Sequence, residues 1–429
     1  MFGTFTLALA VTVVDPRPEL VELQLAGKHR EALARVEREL TENPEPSRRL
    51  GLSYLHGHLL DRLGRVMEAG QSFGRSMIEA PVLGPYGRFR LALDQDRMKH
   101  PEVAAGLIAE VVAREPASPL TPKAVRLLRH SLYEGGDCQF LRTLRPERMP
   151  TPQRREIQLA QGDCALRAGY REMARSFLVS LIEENRGDDL AHGAADRLSG
   201  MVSEAEKGRL PMLLGFTFYQ HREFDRALLH LQRALGDGSA LPPRDDHATR
   251  LAIGMSLVSQ QRYREAVAVL NRLALLSKSP SERARAYYEE ASAWEMLGAR
   301  QNASTRFRQA VVSEPQGRLA AASLLGALRQ EWRAGSEKTA LELYRQLAGK
   351  LEWRNEAVRA ALFMASSDLV RGRTDRVRPW LDQAFLGNRE DRLEATYWRG
   401  RFDEMTRSAP SAIDRYLDVV RTDSYHPLA

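Results

Sequence analysis

Small and apolar residues recur along the chain in a fixed three-column register. A small residue is followed twelve positions later by alanine and sixteen positions later by a bulky apolar residue. The small anchors are Gly57, Ala92, Gly162, Gly215, Gly254, Ala291, Ala365 and Gly400, and Leu328 stands in the same column as the exception. The plus-twelve column reads Ala69, Ala104, Ala174, Ala227, Ala266, Ala303, Ala340 and Ala412, with Val377 the exception. At plus sixteen stand Phe73, Ile108, Leu178, Leu231, Leu270, Phe307, Tyr344, Leu381 and Tyr416. Such a register predicts helical hairpins stacked in series, each burying its apolar face against its neighbours. Glycine inside a helix costs about 1 kcal/mol relative to alanine. Glycine at equivalent mid-helix points therefore implies close packing that recovers the loss.

Alanine on the facing helix removes side-chain bulk, so two backbones can approach, and the plus-sixteen residue is expected to fill the space beside them. Gly64 and Gly298, seven positions after Gly57 and Ala291, fall where a turn needs positive φ, and Pro81 and Pro315 end the second helices. A partial copy with Gly27, Ala32, Val36 and Pro44 opens the array. From Gly254 through Ala291, Leu328 and Ala365 to Gly400 the anchors are 37, 37, 37 and 35 residues apart. This arithmetic resembles the tetratricopeptide repeat, with hairpins slightly longer than that family's usual length of about 34 residues. The expected fold is all-α: a right-handed α-solenoid of about ten tetratricopeptide-like hairpins. Two sections are expected, 15–200 and 201–429, with an irregular hairpin near 116–152 that contains Gly135-Gly136-Asp137 and several prolines. The polar stretches Asn185 to Gly193 and Gly236 to Asp246 read as long loops between hairpins.

A chain of 429 residues would ordinarily make two or three globular domains, but a solenoid escapes that limit because each repeat contacts only its neighbours. The net charge is +7, and only seven of the 63 basic residues are lysine. The arginines are scattered among Glu and Asp, and no four basic residues adjoin, so no nucleic-acid partner is expected. The apolar run Phe5 to Val14 ends at Asp15-Pro16, and Ala8-Leu9-Ala10 resembles a cleavage box. Residues 1–14 contain no Lys or Arg, and they read as an export signal or its remnant, or else as a packed helix. The first reading places the protein in the periplasm and the second in the cytoplasm. The run is too short to span a membrane, and no transmembrane span is expected. Cys138 and Cys164 lie 26 residues apart, spaced for either a disulfide in an oxidising compartment or two buried thiols.

No glycine-rich phosphate loop, nucleophile elbow, His-Glu-x-x-His helix or EF-hand loop occurs. His56 and His58 are two apart on a helix and point to different faces. The acidic pairs Glu183-Glu184, Asp188-Asp189 and Asp245-Asp246 read as solvated helix-end charge. No catalytic residue, cofactor or metal site is assigned. Binding is expected at positions three before, one after and four after each anchor, which by analogy with tetratricopeptide arrays line the concave side. They are Tyr54, His58 and Asp61; Phe216 and Tyr219; Tyr288, Ser292 and Glu295; and Tyr397, Arg401 and Glu404. Aromatic and charged groups there are suited to stacking on sugars or clasping a peptide, or simply to packing on the next repeat.

The closing stretch is more particular: Tyr397-Trp398-Arg399-Gly400-Arg401, then Ala412, Tyr416 and Ser424-Tyr425-His426-Pro427-Leu428-Ala429. It resembles the last hairpins of the superhelical region in soluble lytic murein transglycosylases. The run Arg88 to Leu120, with Ala104, Pro116 and Ser118-Pro119-Leu120, resembles earlier hairpins of the same proteins. The resemblance implies an exported superhelix that binds peptidoglycan or a cell-envelope protein. In that family a lysozyme-like domain follows, with a catalytic glutamate in a Glu-Ser motif and Gly-Leu-Met-Gln downstream. Neither motif occurs here, so no catalytic residue is carried over. The expected function is a non-catalytic scaffold of this kind, and the alternative is a generic tetratricopeptide scaffold for a protein partner.

Overall fold

The computed structural model describes residues 18–428 apart from Gly136, Arg145, Glu204, 237–240, Arg407 and 424–426. The expected export segment 1–14, and Ser424 to His426 and Ala429 of the closing motif, lie outside the described residues. The described residues are helical throughout their ordered elements, with no strand among them. The chain divides into two compact units, Met1–Met201 and Val202–Ala429.

In the first unit α1 (Pro18–Leu25) and α2 (His29–Glu42) form an opening pair, followed by the short α3 (Pro44–Arg49). The pairs α4 (Leu52–Arg62) with α5 (Val66–Glu79), and α6 (Gly84–Arg97) with α7 (Pro101–Arg114), come next. The helix α8 (Thr121–Tyr133) is followed by two short 3-10 turns, and α9 (Thr151–Arg167) then pairs with α10 (Arg171–Glu184) before α11 (Asp189–Ser199). The second unit is more regular. Its pairs are α12 (Arg209–Gln220) with α13 (Phe224–Leu235), α14 (Pro243–Ser259) with α15 (Tyr263–Leu276) and α16 (Pro280–Met296) with α17 (Arg300–Ser313). They continue with α18 (Ala320–Ala334) and α19 (Glu337–Ala348), α20 (Arg354–Val370) and α21 (Val377–Ala384), and α22 (Arg389–Met405) and α23 (Ala409–Thr422). Each unit is thus an α-solenoid built from tetratricopeptide-like hairpins.

The register explains the pairing. All eight plus-twelve alanines are at most 3% exposed. The contact at the anchor differs in detail from the expectation: the plus-sixteen side chain itself occupies the space of the missing anchor Cβ. A Cβ built on Gly57 would lie 2.8 Å from the ring of Phe73, and one on Gly254 only 2.5 Å from Leu270 Cδ2. Large residue and glycine interlock like a knob in a hole, and the alanine sets how near the two helices run. At Leu328 the small residue has moved two positions upstream. Gly326 admits the Phe307 ring of the preceding hairpin, 2.8 Å from where its Cβ would stand, and Tyr344 is only half-buried. Trp332, 1% exposed, fills the remaining volume and meets Trp380 edge-on at 6.3 Å.

The turn at plus seven is the same in every described copy. Gly64 has φ 77° and Gly298 φ 73°, but Lys99 (φ 64°), Arg222 (φ 63°) and Gln261 (φ 61°) adopt this left-handed conformation without being glycine. The backbone hydrogen bonds repeat as well. Gly64 N donates to Asp61 O (3.0 Å) and Arg65 N to Leu60 O (2.9 Å), as Gln261 N does to Val258 O (2.9 Å) and Arg262 N to Leu257 O (2.9 Å). This double closure ends the first helix in a Schellman-type cap.

In the irregular region α8 packs between α7 and α9, and the 3-10 segment that follows it lies against α7 and α9. Cys138 in that segment is disulfide-bonded to Cys164 on α9, with Cα atoms 5.7 Å apart. Leu128, Leu132, Leu141, Leu144, Met149 and Ile157 make one core around the bond. The stretch expected as a loop at Asn185 to Gly193 is shorter than read, because Asp188 accepts from Ala191 N (2.8 Å) and starts α11 at Asp189. Arg155, 3% exposed, locks that junction. It donates to Leu181 O (2.8 Å), Asn185 O (3.1 Å) and Asp188 Oδ1 (2.9 Å), joining the end of α10 to the start of α11. Of Gly236 to Asp246, residues 237–240 are undescribed and Pro243 onward is already helix.

Candidate binding face on the first helices

In the first unit the predicted face residues sit mostly inside. Tyr54 is 5% exposed and its ring tilts on Phe73 with centroids 5.6 Å apart. His58 is 8% exposed, and burial pushes its imidazole down to about 4, with Arg90 and Arg62 adding to the effect. It is therefore neutral at physiological pH and acts as a packing group. Asp61 pairs with Arg97, which also reaches Asp94 at 3.4 Å. Asp94 is 1% exposed, and burial followed by the neighbouring Asp61 raises its carboxyl to about 6.

In the second unit several side-chain contacts bridge successive first helices. Phe216 is half-buried on α12. Tyr219, also on α12, donates to Met255 Sδ on α14 (3.7 Å) and packs edge-on against Phe224 at 5.9 Å. Burial raises the Tyr219 hydroxyl, with Glu289 of α16 adding and Arg285 opposing. Arg285 itself pairs with Glu289 at 2.8 Å. Tyr288 meets Phe307 edge-on at 5.6 Å. Ser292 donates to Tyr288 O at 3.1 Å. Glu295 on α16 accepts from Arg333 on α18 at 2.9 Å, and Arg333 lies over the Phe363 ring of α20 at 5.2 Å. In the last hairpin Tyr397 is 5.8 Å from the Tyr416 ring, while Glu404 accepts from both Arg401 (2.6 Å) and Tyr416 (2.9 Å).

A cavity of about 460 Å³ lies between α18, α20 and α22. Arg329 and Arg359 line it from α18 and α20, with Leu362, Phe363 and Ser366, and Glu390, Asp391 and Glu394 line it from α22. Burial lowers the Arg329 guanidinium, Glu295 opposes this, and Arg333 and Arg359 reinforce it. Its Nε is buried without a hydrogen-bond partner.

The positions two before and five after the anchor contribute as much to these contacts as the three positions read from the sequence. Arg90, Glu289 and Phe363 occupy the first, and Arg97 and Arg333 the second. A signal for the second was available: Arg62, Arg97, Arg167 and Arg333 all fall five after an anchor. Among the described residues, no group of three or more His, Cys, Asp or Glu side chains is placed to hold a metal ion, and no helix is long and apolar enough to cross a membrane. The arrangement offers aromatic surface, paired charges and hydrogen-bond donors, which is the chemistry of recognition.

No family model matches the chain, and no curated protein does. Among solved structures, the apo form of RapI is similar at 11% identity, covering 87% of this chain and 98% of that one, with a TM-score of 0.37. The Cut9–Hcn1 hetero-tetramer of the APC/C shares 11% identity over 97% of this chain and 89% of that one, with a TM-score of 0.32. The tetratricopeptide domain of P58(IPK) shares 13% identity over 87% and 92%, with a TM-score of 0.23. At such scores nothing about the partners of this chain follows from them.

Proposed function

We propose that the chain is a non-catalytic scaffold whose second unit holds an extended segment of a protein partner along its first helices. The observation that carries this reading is a set of side-chain contacts that bridge successive first helices: Tyr219 to Met255 between α12 and α14, Glu295 to Arg333 between α16 and α18, and Arg333 to Phe363 between α18 and α20. Aromatic and arginine side chains are the groups enriched at protein interfaces, because they bring large contact area together with directed hydrogen bonds. Stacked repeats present such groups at regular intervals, which suits an extended chain better than a compact ligand. An array of short labelled peptides tests it. The full chain binds a subset of them, and Tyr288→Ala and Arg333→Ala each weaken that binding by about tenfold. Peptide binding that ignores both substitutions, or no peptide binding at all, overturns the proposal.

A second reading is an exported scaffold at the cell wall, with peptidoglycan glycan or a cell-envelope protein as its partner. It rests on the Tyr397-Trp398-Arg399-Gly400-Arg401 resemblance to lytic transglycosylase superhelices and on the apolar 1–14 segment. Tyr219, Tyr288 and Tyr397 would then stack on sugar rings. Sedimentation with insoluble peptidoglycan that persists at high salt favours this reading, and loss of sedimentation at high salt counts against it.

A further inference from the structure

We propose that the cavity between α18, α20 and α22 is a two-charge subsite, taking an acidic side chain of the bound segment against Arg329 and Arg359 and a nearby basic side chain against Glu390 and Glu394. This deepens the reading of the first helices as a peptide-binding face and rests on it.

Three observations carry the inference. The first is that opposite charges line one cavity without meeting. The arginines come from α18 and α20 and the glutamates from α22, yet no ion pair or hydrogen bond joins the two sets among the described residues. Asp391 is committed elsewhere: it caps α22, accepting from Asn388 N at 3.1 Å while its own N–H donates to Asn388 Oδ1 at 3.0 Å. Glu394 accepts from Trp398 Nε1 at 3.3 Å and keeps its second oxygen for another donor. Glu390 is exposed.

The second is that Arg329 is short of partners where burial makes that costly. Its Nε is buried and unbonded. Glu295, the acid whose charge acts on it, is taken by Arg333 at 2.9 Å. An approaching carboxylate would meet Arg329 and Arg359 together, and guanidinium groups bind carboxylates through paired N–H donors.

The third is shape. Phe363 and Leu362 give the cavity an apolar floor, and Arg329 lies over the Phe363 ring at 5.7 Å. The ring holds that guanidinium beside the cavity instead of letting it swing into solvent. A volume of about 460 Å³ accommodates two side chains of a bound segment and falls within the usual range for ligand sites. Acid and base together are needed because either alone would leave the other wall's charges desolvated and unmatched.

The test uses the full chain and labelled peptides drawn from the binders of the array, each made in four forms: with an acidic and a basic residue, with either one alone, and with neither. The proposal expects the doubly charged form to bind most tightly, with about a fivefold loss when either charge is removed. Arg359→Gln should abolish the preference for the acidic residue and leave that for the basic residue, and Glu390→Gln should do the reverse. Both residues are exposed, so their substitutions leave the melting temperature unchanged. Equal binding of all four forms, or a preference unmoved by both substitutions, overturns the subsite and leaves the peptide-binding face standing. If the array yields no binder at all, the face itself is overturned.

Discussion

Glu295 and Arg333 lie on successive first helices and meet at 2.9 Å, although they are 38 residues apart in sequence. Their side chains are 33% and 41% exposed, so the pair adds little to stability, under about 1 kcal/mol. It does fix the direction of Arg333 over Phe363. Glu295→Gln is therefore expected to leave the melting temperature within a degree or two while weakening peptide binding. A large thermal loss would mean that the pair is structural.

Arg155 is the opposite case. A guanidinium that is 3% exposed and bonded to two backbone carbonyls and Asp188 cannot lose its partners cheaply. Removing one member of a buried charge pair typically costs about 3–5 kcal/mol. Arg155→Ala should destabilise the first unit by an amount of that order, read by denaturant unfolding, and Arg155→Lys should recover only part of it.

The left-handed turns can be improved. Lys99, Arg222 and Gln261 hold φ near 60°, a conformation that disfavours side chains by about 1 kcal/mol or more. Gln261→Gly and Arg222→Gly should each raise stability by about 0.5–1 kcal/mol. Calorimetry showing both to be destabilising would mean that the turn geometry is different.

Acid dependence in the first unit should have two opposed components. Asp94 rises from an ordinary 3.8 to about 6, so between those values the folded chain binds more protons than the unfolded chain and stability falls as pH rises. His58 drops from 6.5 to about 4, so in that window the folded chain binds fewer protons and stability falls as pH drops. His29, Asp61, Arg62, Arg90 and Arg97 are the groups whose charges act on the two. The advantage of Asp94→Asn over the wild type should grow from pH 4 to pH 6 and level off on the order of 3 kcal/mol. The advantage of His58→Gln should grow as pH falls from 6.5 to 4. Thermal melts across this range check both signs.

The hairpins were legible because helix pairing imposes columns: alanines buried at plus twelve and large residues at plus sixteen follow from spacing alone. What escaped was local compensation. The backbone turn at plus seven forms without glycine at Lys99, Arg222 and Gln261, because the two closing hydrogen bonds and the packed helices outweigh the strain. The exception at Leu328 became intelligible only when Gly326 was seen to receive Phe307 from the preceding hairpin, a contact between repeats that a within-hairpin register cannot express. Arg155 and Asp94 gave no sequence signal, since burial of a charge depends on which loop closes over it. The offsets from the anchors place Tyr219, Tyr288 and Glu295 on the first helices one residue at a time. Their linkage through Met255, Arg333 and Phe363 depends on how hairpins stack.

The stacking claim is tested most directly at Gly254 by a thermodynamic cycle with Leu270. Alanine is the better helix former by about 1 kcal/mol, so Gly254→Ala would stabilise a helix with open space at that point. Here the new methyl would lie 2.5 Å from Leu270 Cδ2, and overpacking of this kind costs about 1–3 kcal/mol. Denaturant unfolding should therefore find Gly254→Ala destabilising in the wild type and stabilising once Leu270→Ala has removed the obstructing side chain. The same effect of Gly254→Ala in both backgrounds would contradict the interlocked hairpin.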